Sequence, residues 1–167
     1  MTLLNELESI VGHSHVLTQG DLSAFEMDWR KRSKGRALCV VSPQNTQEVA
    51  MVIKACAAHK TSIVPQGGNT GLVVGSIPDE TGQQVLMSLK RMRKIESIDP
   101  ENLSITVQAG CVLQEIQEAA EAVGLLFPLS LGSEGSCTIG GNLSTTLGAR
   151  KCFVMAIPGI CAWAWKW

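Results

Sequence analysis

Apolar and polar positions along the chain alternate between a helical and an extended spacing. Leu3–Val11 carries the pattern of a short amphipathic helix, and a polar segment follows it through Asp28-Trp29-Arg30 into the basic stretch Lys31–Arg36, which reads as a solvated turn. Ala37–Val41 is a continuous apolar run suited to a buried strand, and Ser42-Pro43 ends it. A helix is expected next. Asn45 can cap it with Glu48 at the third position, and Val49, Val52, Ile53 and Cys56 recur at helical spacing to form one buried face. Ser62–Val64, Gln84–Ser88 and Leu103–Val107 read as strands, the last alternating as a half-exposed strand does. A further helix begins after Gly110, with Leu113, Ile116, Ala120 and Val123 on one side and Gly124 as its stop. No internal repeat or low-complexity segment interrupts the series.

Composition narrows the class. A chain of 167 residues is long enough for a real core, and its formal net charge of −1 gives no bulk attraction to nucleic acid or to a membrane surface. Hydrophobic residues make up 45%, yet no apolar run approaches the roughly 20 residues of a membrane span. The N-terminus lacks the basic start of a secretory signal, so the sequence reads as cytoplasmic. The six cysteines (Cys39, Cys56, Cys111, Cys137, Cys152, Cys161) include no CxxC pair and no histidine at zinc-ligand spacing, which suits buried reduced thiols better than a metal or redox site.

The strand at Ser62–Val64 runs into Pro65–Pro78, where Gly67, Gly68, Gly71 and Gly75 stand among small hydrogen-bonding residues. Glycine tolerates positive φ and has no Cβ to keep a ligand off the backbone, so such a loop can close its N–H groups around an anion. Two known phosphate motifs do not fit. A Walker loop needs Lys-Ser/Thr after its last glycine, but Leu72-Val73 follows Gly71; a dinucleotide fingerprint needs G-x-G-x-x-G opening a helix, but the glycines are out of phase and Pro78 interrupts. A glycine-rich surface turn without a ligand is the alternative reading of this loop alone. A second segment, Pro128–Ser144, repeats the same chemistry of glycines and small hydroxyls. Two such loops suit an extended ligand with a diphosphate, a ribose and flat rings better than a single phosphate.

Pro65-Gln-Gly-Gly-Asn-Thr-Gly-Leu72, Pro128-Leu-Ser-Leu-Gly-Ser133 and Ile139-Gly-Gly-Asn-Leu-Ser-Thr145 resemble the FAD-binding domain of the vanillyl-alcohol oxidase superfamily. Asp28-Trp29-Arg30 and Ala37–Pro43 are similar to the branch holding D-lactate dehydrogenase, the glycolate oxidase subunit and D-2-hydroxyglutarate dehydrogenase. The resemblance runs from about Met1 to Thr145. It implies an α+β fold, the PCMH-type FAD-binding domain, with two small α/β subdomains and FAD stretched between two small sheets. It also implies that Gly67, Gly68, Asn69, Thr70 and Gly71 hold the pyrophosphate, with Gly75 and Ser76 continuing along the cofactor and Pro65 and Leu72 among its binding residues. Pro128, Leu129, Gly132, Ser133, Gly135, Ser136, Ile139, Gly140 and Asn142 carry over as contacts nearer the flavin. One departure stands out: Val74 occupies a position where the family often has glycine, and a β-branched residue strains a positive φ.

In this family a D-2-hydroxy acid of the lactate, glycolate or 2-hydroxyglutarate type passes a hydride to flavin N5, and an acceptor protein or a quinone takes the electrons onward. The cap that binds substrate and the His-rich site lie in the C-terminal half of such enzymes. His13, His15 and His59 lie in the N-terminal elements and read as ordinary surface or helix residues, so the sequence names no catalytic residue and no metal ligand. Other readings stay open. The chain could be a short flavin-binding subunit working with a separate cap protein, or resemble the reductase of UDP-linked enolpyruvyl sugars in the same superfamily, although Leu131–Gly135 fits the hydroxy-acid branch better.

Residues 146–167 depart from the family pattern. After Thr145 the family continues with Asn-Ala-Gly-Gly and then Leu-Arg-Tyr-Gly-Asn, whereas this chain has Thr146-Leu-Gly-Ala-Arg-Lys-Cys-Phe-Val-Met155. Restoring one adenine after a permitted coding of Thr145 gives Thr-Asn-Ala-Gly-Gly-Ala-Lys-Val-Leu-Arg-Tyr-Gly-Asn-Thr-Arg, and the single codon of Met155 falls where the shifted Tyr-Gly needs it. Trp163, Trp165 and Trp167 crowd the end of a chain with four tryptophans and no tyrosine. An aromatic membrane or partner anchor is the functional alternative. The expected division is therefore 1–145 as the N-terminal part of the FAD domain and 146–167 as an out-of-frame tail, leaving the domain incomplete at its C-terminus. Such a chain is expected to expose open strand edges and to retain FAD weakly or not at all, without turnover. Resequencing the locus is expected to restore one base near codon 146 and to open a frame encoding a cap domain; an intact stop with no homologous coding sequence beyond it would overturn the frameshift.

Overall fold

Parallel strands that carry helices on their faces are buried on both sides, and the apolar runs of this chain form such a sheet. The computed structural model describes residues 2–145, which divide between Met92 and Arg93 into two units. The expected tail at 146–167 lies outside the described residues. In the first unit, strands β1 (Val16–Leu17), β2 (Ala37–Val41), β3 (Ile63–Gln66) and β4 (Gln84–Ser88) form one sheet in the order β1-β2-β4-β3. β2 and β3 both pair parallel with β4, and β1 closes the edge antiparallel to β2.

The pleat of β4 divides the core. Val85 and Met87 point to the face covered by helices α1 (Leu3–Val11) and α3 (Thr46–Ala58), where Leu3, Leu7, Val11, Val52, Ala55 and Cys56 pack. Leu86 points to the opposite face and packs with Ala37, Val40, Leu22 and Phe25. Ala37 and Val40 are three apart, an odd spacing that strict alternation would send to opposite faces. A register shift between Ala37 and Cys39 resolves this, since one extra residue flips the parity of everything after it.

Helix ends follow the sequence. The Thr2 hydroxyl accepts from Asn5 N–H at 3.4 Å to open α1. Asn45 Oδ1 accepts from Glu48 N–H at 2.8 Å to open α3, while Glu48 Oε2 accepts from Gln44 N–H at 2.8 Å, one residue earlier than a standard capping box. The buried stripe of α3 differs from expectation. It consists of Val52, Ala55 and Cys56, whereas Ile53 is 47% exposed and Val49 is half-buried. Ile53 lies about 100° around the helix from Val52, outside the narrow face that α1 and the sheet cover.

The second unit begins with an antiparallel hairpin, β5 (Ile95–Asp99) and β6 (Ser104–Val107). The Asp99 carboxylate shapes its turn by accepting from Glu101 and Asn102 N–H at 3.1 and 3.0 Å. Helix α4 (Leu113–Glu121) buries Leu113, Ile116 and Ala120, but Val123 lies beyond its last turn and is 40% exposed. Gly124 takes φ 76, and Leu125 N–H returns to Ala120 C=O at 3.0 Å, the left-handed stop that its position suggests. A short helix α5 (Ile139–Ser144) occupies the end of what the sequence presents as a glycine loop.

Cys39, Cys56, Cys111 and Cys137 are free and buried, as expected; Cys152 and Cys161 lie outside the described residues. Burial, reinforced by Cys56, pushes the Cys39 thiol up to about 12, so it stays protonated and inert near neutrality. His13 and His59 lie on the surface against Glu8 and Glu6, each pair at 3.1 Å. No helix among the described residues is long and apolar enough to cross a membrane.

The basic stretch is a turn, as expected, but a more ordered one than a merely solvated run. Asp28, only 6% exposed, sits at its centre. Its Oδ1 accepts from Arg32 and Ser33 N–H at 2.7 and 2.6 Å, and its Oδ2 from Arg30 N–H at 3.0 Å. Trp29 and the cations of the turn are left facing solvent. These donors, Ser33 N–H first, hold the Asp28 carboxyl below its ordinary 3.8. A carboxyl depressed by folding contributes stability that is fully present above the ordinary value and is lost as pH falls through the folded value.

Two outcomes follow from this packing. Leu86→Ala removes a side chain with no exposed surface and is expected to cost about 2–5 kcal/mol in chemical denaturation, while Ile53→Ala stays within about 0.5 kcal/mol. Hydrogen-exchange protection of the Arg32 and Ser33 amides is expected to persist on acidification to the ordinary carboxylate range and to disappear below it. Asp28→Ala is expected to abolish that protection at pH 7, and protection that survives the substitution would contradict the role given to this carboxylate.

Candidate cofactor site

β3 ends at Gln66, opposite Ser88 of β4, so the glycine loop leaves from the carboxyl end of paired parallel strands. That edge is where open α/β sheets present ligand-binding loops. The Gln66 side chain is buried, 1% exposed, and its Nε2 donates to Phe25 C=O at 2.8 Å and to Ser76 C=O at 2.7 Å. Asn69 forms a second tie. Its Nδ2 donates to Met27 C=O at 2.8 Å, and its Oδ1 accepts from the Ser76 hydroxyl at 2.7 Å. The two amides thus join both ends of the loop to the short helix α2 (Ser23–Glu26) and the residues just after it.

Between these ties the loop is open. A Cβ added at Gly71 or Gly75 would meet nothing within 4 Å. Leu72, Val73 and Val74 are 55, 87 and 36% exposed. The left-handed positions of the loop are not glycines: Asn69 has φ 54 and Val74 has φ 65, while the four glycines stay outside that region. Of the two reasons for glycine, freedom of φ is therefore not in use here, while Gly71 and Gly75 leave the backbone open to approach.

The segment 128–142 folds more tightly than a loop. Ser136 and Cys137 N–H both return to Ser133 C=O, at 2.8 and 2.7 Å, and Leu113 N–H donates to Cys137 C=O at 3.1 Å. Gln117 Nε2 holds Leu129 C=O at 2.7 Å. The residues named here divide into two groups. Gly132, Gly135 and Ser136 are exposed and Pro128 and Ser133 half-buried, whereas Leu129, Ile139 and Asn142 have their side chains in the core. Gly140 serves packing. A Cβ there would come within 2.8 Å of Ala109 Cβ and carbonyl oxygen, and Gly140 N–H donates to that carbonyl at 2.9 Å.

Sequence reasoning placed Gln66 in the loop without giving it a function, although it is the one buried residue of β3, whose Ile63 and Val64 are half-buried and Pro65 exposed. Its Oε1 is buried without a hydrogen-bond partner, as is the hydroxyl of Thr138. The carbonyls of Phe25 and Met27 carry no side-chain signal and could not be found from sequence. No group of three or more His, Cys, Asp or Glu side chains that could hold a metal occurs among the described residues.

The FAD binding domain family matches residues 37–161. A probable mitochondrial D-2-hydroxyglutarate dehydrogenase of Oryza sativa subsp. indica is 42% identical over 145 residues, covering 86% of this chain and 26% of the relative. A putative mitochondrial D-lactate dehydrogenase of Schizosaccharomyces pombe is 36% identical over 152 residues, covering 86% and 28%. The chain spans about a quarter of the length of these curated relatives. Among solved structures, an alkyldihydroxyacetonephosphate synthase superposes with a TM-score of 0.74 at 21% identity, over 86% of this chain and 31% of that one. Substrate-bound p-cresol methylhydroxylase superposes at 0.64 with 22% identity, over 87% and 28%. Both share the α+β fold that the family resemblance implies. With its matched residues running through the glycine loop, this chain belongs to the FAD binding domain family, and FAD is its cofactor.

Proposed function

We propose that the chain is the FAD-binding part of a flavoenzyme that oxidises a D-2-hydroxy acid. The observation that carries the cofactor half is the loop at the end of β3, pinned at Gln66 and Asn69 with Gly71 and Gly75 open to approach. Gly67, Gly68, Asn69, Thr70 and Gly71 are assigned to the pyrophosphate, with Pro65, Leu72, Gly75 and Ser76 beside it. A diphosphate accepts hydrogen bonds only, so a surface of backbone N–H groups without Cβ obstruction suits it. Exposed Gly132, Gly135 and Ser136, with Pro128 and Ser133, are assigned to the flavin end; Leu129, Ile139, Gly140 and Asn142 support them from the core.

When bound, FAD supplies the acceptor for the two electrons of the alcohol-to-ketone oxidation. The described residues contribute binding and orientation. The names of the relatives support a D-2-hydroxyglutarate or D-lactate type of substrate in the whole enzyme. An acceptor protein or quinone belongs to the same proposal. Location belongs to it as well: against the cytoplasmic expectation, the relatives' names suggest a mitochondrial one, and fractionation followed by immunodetection separates the two.

Titration of the purified chain with FAD, followed by flavin fluorescence, is expected to show saturable binding with a Kd above about 1 μM, competed by ADP. Gly71→Asp puts a carboxylate where the structure has free space, so the fold survives while the diphosphate is repelled, and affinity is expected to fall at least about tenfold. An unchanged Kd in that variant would refute the pyrophosphate assignment.

A further inference from the structure

Five non-glycine residues take positive φ among the described residues, namely Lys31, Lys60, Asn69, Val74 and Leu103, and Val74 is the β-branched one. Its φ of 65 places the branched Cβ against its own backbone, a conformation that L-residues other than Gly, Asn and Asp rarely hold. Strained backbone persists where its surroundings over-determine it. Asn69 meets that condition, because Asn tolerates the left-handed region and its amide is tied to Met27 and Ser76. Val74 does not meet it. Its side chain is 36% exposed, its neighbour Gly75 faces open space, and among the described residues its carbonyl accepts from Ile77 N–H alone, at a long 3.5 Å.

The two ends of the open stretch are held independently of Val74. Gln66 grips Ser76 C=O, and Asn69 grips the Ser76 hydroxyl. If Val74 relaxes to an ordinary φ, the turn from Val74 to Ile77 opens and the backbone between Gly71 and Gly75 must reshape within those fixed ends. The surface offered to a diphosphate then changes shape. A ligand that needs the ordered shape binds with an apparent affinity reduced by the fraction of chains that have it.

We propose that Val74 limits the fraction of this loop ready to receive a diphosphate-bearing ligand, and that a residue at ease in the left-handed region raises it. The proposal rests on the cofactor reading above. Val74 is a positioning residue: it acts through the backbone of Gly71–Gly75 and need not touch the ligand.

The test compares the full chain with Val74→Gly, Val74→Asn and Val74→Ala. Without flavin, exchange of the Ile77 amide is expected to slow about fivefold to tenfold in the Gly and Asn variants, with Ala between them and the parent. FAD is expected to bind the Gly and Asn variants tighter by a similar factor. Asn separates strain relief from added flexibility, since it prefers the left-handed region without the freedom of glycine. Faster Ile77 exchange in Val74→Gly, or slower exchange in the Gly and Asn variants with a parent-like Kd, would overturn the proposal. Slower exchange in both variants with no FAD binding by any chain would overturn the cofactor reading, and with it this proposal, while leaving the strain at Val74 established.

Discussion

The amide of Gln66 holds three separate stretches of chain at one buried point. It ends β3, reaches back to the carbonyl of Phe25 within α2 and forward to the carbonyl of Ser76 across the glycine loop. Because the side chain is buried, breaking either bond would leave a polar group without water to replace it, which makes such ties costly to break. Everything that makes the loop a candidate site depends on this point. The strand delivers the loop, the helix segment fixes its floor, and the returning carbonyl sets how far Gly71–Gly75 can bulge outward.

Around that point the first unit divides its work cleanly. In the sheet, β4 is covered on both faces, with Val85 and Met87 under α1 and α3 and Leu86 under Phe25 and Leu22. Phe25 therefore does two jobs. Its ring packs on the core face while its carbonyl receives Gln66, so the packing of the sheet and the position of the loop are mechanically one feature. The Asp28 turn follows directly, and its buried carboxylate keeps the chain through Ser33 from fraying away from the Asn69 tie at Met27.

Glycines in the two segments look alike in sequence and act differently in the structure. Gly71, Gly75 and Gly132 face open space, where the lack of a side chain matters only to something that arrives from outside. Gly140 is pressed against Ala109, where the lack of a side chain lets α5 pack. The strained position falls on Val74, at the end of an exposed apolar run, in a loop whose glycines do not take the left-handed conformation. A motif therefore marks where backbone is exposed or closely packed, but not which of the two holds at each glycine.

Periodicity alone determined the helix at Leu3–Val11, the strands at Ala37–Val41 and Gln84–Ser88, the cap at Asn45 and the stop at Gly124, because each depends on neighbours within a turn or on a simple apolar run. The two glycine segments and their resemblance pointed to the flavin fold for the same reason: the chemistry is written in consecutive residues. Other features needed the tertiary structure. The two-residue strand β1, the strand β5 with its charged and polar positions, and helix α5 within a glycine-rich segment have too little local signal to stand out, and they form because a partner is present. Ile53 is exposed and Ala55 buried because the width of the covering face, not the hydrophobicity of the side chain, decides which positions of α3 are enclosed. The ties from Gln66 and Asn69 to Phe25 and Met27 span about forty residues and end on backbone carbonyls, which every residue possesses. Sequence could mark the cradle, and only the fold could decide what holds it in shape.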